Sequence, residues 1–207
     1  MSLPRQMISR KADGIGWVLF NDPQAMNAIS MEMSAAIPEI IAAHDADPDI
    51  RVVILTGVGD RAFAAGSNIS AFGRVRTNAA QNKAYHGLNE QSYNSVYECS
   101  KPTIAMIRGY CMGGGVDYAA SCDIRIAADD AVFAVPAARL GLGYGYEGKF
   151  ASIVLSVRHK LGICFSPRVA TMRGRPFGLA WSTKSSRLQS WSRTPLPMQR
   201  WSLPMRR

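Results

Sequence analysis

Gly113, Gly114 and Gly115 stand in a row between the apolar run "TIAMIRGYCM" and a stretch of helical character, "VDYAAS". Each glycine in a helix costs about 1 kcal/mol relative to alanine, so three at a helix start imply a compensating use. A helix N-terminus offers unpaired main-chain N–H groups and the positive end of the helix dipole. Both favour an oxygen bearing negative charge, and without a Cβ that oxygen can approach the main chain closely. Phosphate is one such ligand. The run matches neither GxxxxGK[ST] nor GxGxxG, however, the two spacings that cradle phosphates. A carbonyl oxygen that becomes an oxyanion is the other.

A second donor would complete that chemistry. "AFAAGSN" (Ala62 to Asn68) is built from small residues and follows an apolar run. Its amides are candidates to share one carbonyl oxygen with the glycine run. The competing account is that both segments are small only for packing.

The elements that must position these two segments alternate along the chain. "IGWVLFN" (15–21) reads as a strand ended by "DP". Ser30 caps a helix with Met33, Ile37, Ile40 and Ile41 at helical spacing, and Pro38 within it predicts a kink or a late start. Residues 51–57 read as a buried strand and 58–68 as a loop. Residues 82–100 read as a helix, and 103–109 as a strand leading to the glycine run and a helix through about Ser121. "DIRIAA" and "AVFAVP" are two further short strands. This alternation predicts an α/β layer arrangement.

The 207 residues, 47% of them hydrophobic, suffice for one ordinary core. There is no apolar run of about 18 residues and the start lacks a secretory h-region, so a cytoplasmic protein with no membrane partner is expected. Cys99, Cys111, Cys122 and Cys164 form no CxxC pair; they read as reduced thiols rather than metal ligands or disulfides, and no metal site is expected. The net charge of +9 is unevenly spread. Residues 1–148 carry all 15 acids and 12 Lys/Arg, whereas 149–207 carry 12 Lys/Arg and no acid. That basic end would bind polyanions weakly and in a salt-sensitive way, which is not a specific nucleic-acid site.

Taken together, "NDPQAMNAIS", "DIRVVILTGVGDRAFAAGSNISAF", "KPTIAMIRGYCMGGGVDYAASCDIRIAADDAVFAVP" and "ARLGLG" resemble, in order and spacing, the crotonase superfamily of enoyl-CoA hydratases and isomerases. The resemblance covers about residues 15–148. It implies a spiral of ββα units, an acyl-CoA or enoyl-CoA thioester substrate with no cofactor beyond that CoA, and a homotrimer or hexamer. The thioester carbonyl would sit between the amides of Ser67 and Gly114, and the CoA contacts would fall at Ala25, Met26, Ala65, Asn68 and Ile69. Of the two glutamates of a hydratase of this family, the first falls on Asp117 and the second on Ala137. Asp117 keeps a carboxylate one methylene short, where a misplacement of about 1 Å can cost on the order of 10²-fold; Asp117 as a structural or capping acid is the competing account. Ala137 transfers no proton, and Asn68 replaces the usual acid of its loop. Glu147, in "GYGYEG", is a candidate substitute acid, or else a solvated loop residue. Impaired activity is expected. An inactive chain and other CoA-thioester chemistry, such as isomerisation or hydrolysis, stay open beside hydration.

Past Gly148 the resemblance is lost. "CFSPRVATM" (164–172) and "AWSTKSSRL" (180–188) regain family motifs when synonymous codons are read from one base earlier. Residues 1–148 are therefore expected to be the spiral core. Residues 149–207 are expected to be an irregular or disordered tail translated out of frame, with "ASIVLSV" adding at most a short helix or strand.

Overall fold

A computed structural model of the chain describes residues 3–136 and the strand Ile163–Phe165. Ala137, Glu147 and, apart from that strand, the other residues after 136 lie outside the described residues. The apolar runs form the strands β2 (Ile15–Phe20) and β3 (Val52–Gly57), in which Val18, Phe20, Val53 and Leu55 are fully buried. The strand β1 (Met7–Ala12), not expected from the sequence, pairs antiparallel with β2. Its "MISRKA" is too polar to read as a strand. It forms as an edge, where Lys11 reaches Asp47 and Asp49 at 2.9 and 2.7 Å.

The helix α1 (Met31–Ala46) begins at Ser30, whose hydroxyl accepts from Met33 N. It runs through Pro38 without a break or a late start. Ile37, Ile40 and Ile41 are buried on its inner face, so packing offsets the hydrogen bond that proline removes. The helix α3 (Ala79–Tyr97) starts three residues before its expected start at Asn82, because the Asn78 side chain caps it by accepting from Gln81 N. A short helix α2 (Phe72–Val75) precedes it.

From β3 onward, strands alternate between two sheets. β3, β5 (Thr103–Ile107) and β7 (Ile124–Ala127) pair in parallel in the larger sheet. β4 (Ala62–Ala64), β6 (Tyr110–Met112) and β8 (Val132–Ala134) pair in parallel in the smaller one. Strand β9 (Ile163–Phe165) adds to β7, giving the order β1-β2-β3-β5-β7-β9. Each turn of the chain thus lays one strand in each sheet, which is a spiral of ββ units with helices between turns.

Two expectations are corrected here. The segment 58–68 is not all loop, since β4 lies within it. The glycine run follows not the long strand but β6, a separate three-residue strand. Both strands are too short to show a period, and parallel neighbours from other turns hold them. The core runs from α1 through the larger sheet to the helix α4 (Gly114–Ser121), joined by Phe20, Phe63 and Tyr118. Leu55 is fully buried in the central strand. Leu55→Ala is expected to cost about 3 kcal/mol of stability, read as a lower urea midpoint at an unchanged slope.

Candidate active site

The three glycines have three different physical reasons. Gly113 has φ 46° and ψ −117°, a conformation closed to residues with a Cβ. It turns the chain from β6 into α4, and its N–H donates to Ala134 O of β8 at 2.9 Å. A Cβ on Gly115 would lie 2.5 Å from Ala64 O, so only glycine lets α4 seat on β4. A Cβ on Gly114 would lie 2.9 Å from Tyr93 Oη, 3.5 Å from Ser67 Oγ and 3.8 Å from Ser67 N. Cβ and N of one residue are about 2.5 Å apart. The nitrogens of Gly114 and Ser67 are therefore no more than about 6.3 Å apart, close to the span that one oxygen bridges with two hydrogen bonds of about 3 Å. Among the described residues neither N–H has a hydrogen-bond partner. The two expected donors are thus brought together, from different turns of the spiral.

The loop carrying Ser67 is held by main-chain bonds. Ile29 N donates to Gly66 O at 2.7 Å and Asn68 N to Ile29 O at 2.8 Å, a one-residue parallel bridge that leaves the Ser67 N–H turned away. Gly66, at φ 90°, passes Met112 so closely that a Cβ would lie 2.9 Å from its carbonyl oxygen. Ala65 N donates to Met26 O at 3.0 Å, which joins the two segments expected to meet CoA. Ala25 ends a 3-10 turn and is exposed, Met26 has φ 51°, and Ile69 is 58% exposed. The Asn68 side chain accepts from Ser70 N and Ser70 Oγ at 3.2 and 2.5 Å and caps its own turn. Ala25, Met26, Ala65, Asn68 and Ile69 are therefore carried by two segments tied to one another beside Ser67.

Sequence reasoning singled out neither Asn27 nor Tyr93. Asn27 is buried with φ 56°; its amide donates to Ala62 O at 2.7 Å and Val58 O at 3.1 Å, and its Oδ1 accepts from Asp22 N at 2.9 Å. It fastens the turn before α1 to β4. The signal was an asparagine closing "DPQAMN", a type that tolerates the left-handed region.

Asp117 lies in the first turn of α4, three residues past Gly114. Its Oδ1 is buried with no hydrogen-bond partner among the described residues. Burial pushes its carboxyl up to about 7. The Cys111 thiol beside it is pushed well above its ordinary range, by burial first and by Asp117 second, and is an inert neighbour. Cys99, Cys111 and Cys122 are free thiols. Ala137 and the candidate acid Glu147 fall outside the described residues; among the described residues, Asp117 is the carboxylate in the first turn after Gly114.

A spiral that lays successive strands in two sheets, with Ser67 beside a glycine-led helix start, defines a known class. The fold is that of the crotonases. An enoyl-CoA hydratase/carnithine racemase from Magnetospirillum magneticum superposes with a TM-score of 0.70 at 34% identity, covering 74% of this chain and 57% of that one. The chain belongs to the enoyl-CoA hydratase/isomerase family, whose model matches residues 10–156 and so runs on past residue 148. The crotonyl-CoA hydratase of Syntrophomonas wolfei is 32% identical over 142 residues, 69% of this chain and 54% of its own length. The mitochondrial 3-hydroxyisobutyryl-CoA hydrolase of Gallus gallus is 32% identical over 145 residues, 68% of this chain and 38% of its own. The chain spans about half the length of the hydratases it matches.

The raised carboxyl of Asp117 has a consequence for stability. Between the ordinary carboxylate range, about 4, and about 7, the folded chain binds a proton that the unfolded chain releases, so stability falls as pH rises through this window. Asp117→Asn removes the dependence. The variant is expected to exceed the parent by on the order of a few kcal/mol at pH 8, and to match it near pH 4. Thermal unfolding across this pH range measures both.

Proposed function

We propose that the chain acts on an acyl-CoA thioester and stabilises its enolate. The thioester oxygen accepts hydrogen bonds from the N–H groups of Ser67 and Gly114, while Ala25, Met26, Ala65, Asn68 and Ile69 line the approach of CoA. The Asp117 carboxylate takes a proton from the α-carbon, and the electron pair moves onto the thioester oxygen. In isomerisation of a β,γ-enoyl thioester, the same carboxyl returns that proton to the γ-carbon as the enolate collapses. One proton-carrying group suffices for this cycle. Hydration needs a second group to handle water, and Ala137 does not supply one; Glu147 is the remaining candidate. A carboxyl near pH 7 suits a group that must both take and return a proton.

The observation that carries this reading is the approach of the Ser67 nitrogen to Gly114 across glycine-only contacts. The reading extends to a cytoplasmic protein that uses no metal and no cofactor beyond the CoA of its substrate, and to a homotrimer or hexamer. It also takes the segment after about residue 149 as out of frame. Sequencing of the coding DNA across codons 140–190 tests that last point: a one-base shift that restores the motifs supports it, and its absence overturns it. No described helix is long and apolar enough to cross a membrane.

Turnover of crotonyl-CoA and of a 3-enoyl-CoA, with Asp117→Ala alongside, tests the chemistry. Isomerisation by the parent is expected to exceed that of the variant by about 10²-fold or more. Equal rates in both proteins, or failure to bind either thioester, would sink the reading. The base form of Asp117 is the active one, so kcat/KM is expected to rise with pH through about 7 and then level off. Gly114→Ala places a methyl against Tyr93 Oη and beside Ser67. It is expected to lower kcat by about 10²-fold while the circular dichroism of the fold is kept.

A further inference from the structure

The helix α4 has the sequence GGVDYAAS, in which Tyr118 is the one large side chain. The glycines let its first turn seat closely on β4. A face without side chains has nothing to interlock, however, so it sets how near the helix lies and not how the helix is rolled about its own axis. Tyr118 supplies the interlock. It is fully buried, with its ring against Phe20 of β2 at a centroid distance of 5.3 Å and edge-on to Tyr93 of α3 at 4.6 Å. Beyond the ring, Tyr118 Oη lies 2.6 Å from Oγ of the buried Ser92 of α3. The buried Ser34 of α1 faces the same hydroxyl. Ring packing is non-directional, whereas a hydrogen bond fixes both distance and angle. This one acts at the far tip of the side chain, where a small roll of the helix makes its largest displacement.

Asp117 is the neighbouring residue, about 100° around the helix. Helical side chains reach roughly 5–6 Å from the axis, so a roll of roughly 10° carries a carboxyl there through about 1 Å. The Gly114 main chain, within about 2.3 Å of the axis, moves less than half as far. A reacting group misplaced by about 1 Å can cost on the order of 10²-fold in rate. Oδ1 of Asp117 has no hydrogen-bond partner among the described residues, so at that atom its place is set by the helix that carries it. Resting on the reading of Asp117 as the proton carrier, we propose that Tyr118 is a positioning residue: its hydroxyl, bonded to Ser92, fixes the roll of α4 and so holds the Asp117 carboxyl in its buried place. Tyr118 itself neither meets the substrate nor exchanges a proton. The bond joins α3 to α4, and its directional hold adds to what phenylalanine would supply by packing alone.

The test uses the full chain with ¹³C in the aspartate carboxyls, titrated by NMR, with Asp117→Asn identifying the Asp117 signal. A 3-enoyl-CoA serves for turnover. The parent signal is expected to titrate at about 7. Tyr118→Phe keeps the ring contacts and loses the bond to Ser92. Its Asp117 signal is expected to titrate at least one pH unit lower, because a freed roll returns the carboxyl to water. Its kcat is expected to fall about 10- to 100-fold with little change in KM, and the rise of kcat/KM with pH moves down with the titration. Ser92→Ala removes the same bond from the α3 side and is expected to lower the midpoint likewise. A lower unfolding temperature with an unchanged Asp117 midpoint in both variants is the result of a merely structural bond, and overturns the proposal. A midpoint that falls in the variants, in a protein whose parent turns over neither thioester, supports the role of Tyr118 and overturns only the reading of the site's chemistry.

Discussion

The seating of α4 on β4 is the contact on which the rest of the site depends. At Gly115 the helix backbone lies where any side chain would strike Ala64 O, and at Gly66 the loop backbone does the same against Met112 O. A third such contact, Gly109 against Arg61 O, brings the entry to β6 onto the entry to β4. These main-chain approaches set the distance between the Ser67 and Gly114 nitrogens. A single added methyl at 115 would push the helix off the sheet and open that distance, so the glycines give up helix propensity for proximity.

The opposite end of α4 is held as firmly. The Arg125 guanidinium donates to Ala119 O at 3.1 Å, Ala120 O at 3.3 Å and Asp123 O at 3.0 Å, and also to Cys122 O. The Ala119 and Ala120 carbonyls are among those a helix leaves unpaired at its C-terminus. The Asp123 carboxylate accepts from Thr103 N and Thr103 Oγ1, both at 2.8 Å, and ties the helix exit to the start of β5. A helix of only two turns is thus pinned at both ends. Its first turn can then carry a buried carboxyl whose Oδ1 has no partner among the described residues, a feature that costs stability and suits proton transfer.

Much of this was legible in the residue pattern. Ser30, the isoleucine spacing after it, and the apolar runs ending at Phe20, Gly57 and Ile107 each mark an element, because burial imposes its period on the sequence. The glycine run and "AFAAGSN" pointed to two segments that meet, and Ser67 does lie beside Gly114. What escaped was short or polar. β4 and β6 have three residues each and owe their form to neighbours from other turns of the spiral. β1 carries Arg10 and Lys11 on an edge. Asn27 and Tyr93 are ordinary residues in their local segments, and their partners lie far along the chain: Asn27 bonds Ala62 O, and Tyr93 abuts Gly114.

The sequence by itself determined the element types, the positions of the glycines and the presence of one carboxylate three residues past Gly114. Those are local properties, set by backbone freedom, side-chain size and spacing. Only the tertiary structure decided that Ser67 lies beside Gly114, that Tyr93 of α3 abuts Gly114, and that the Asp117 carboxyl is raised to about 7. Proximity across turns and removal from water arise when distant segments pack, and no single segment encodes them.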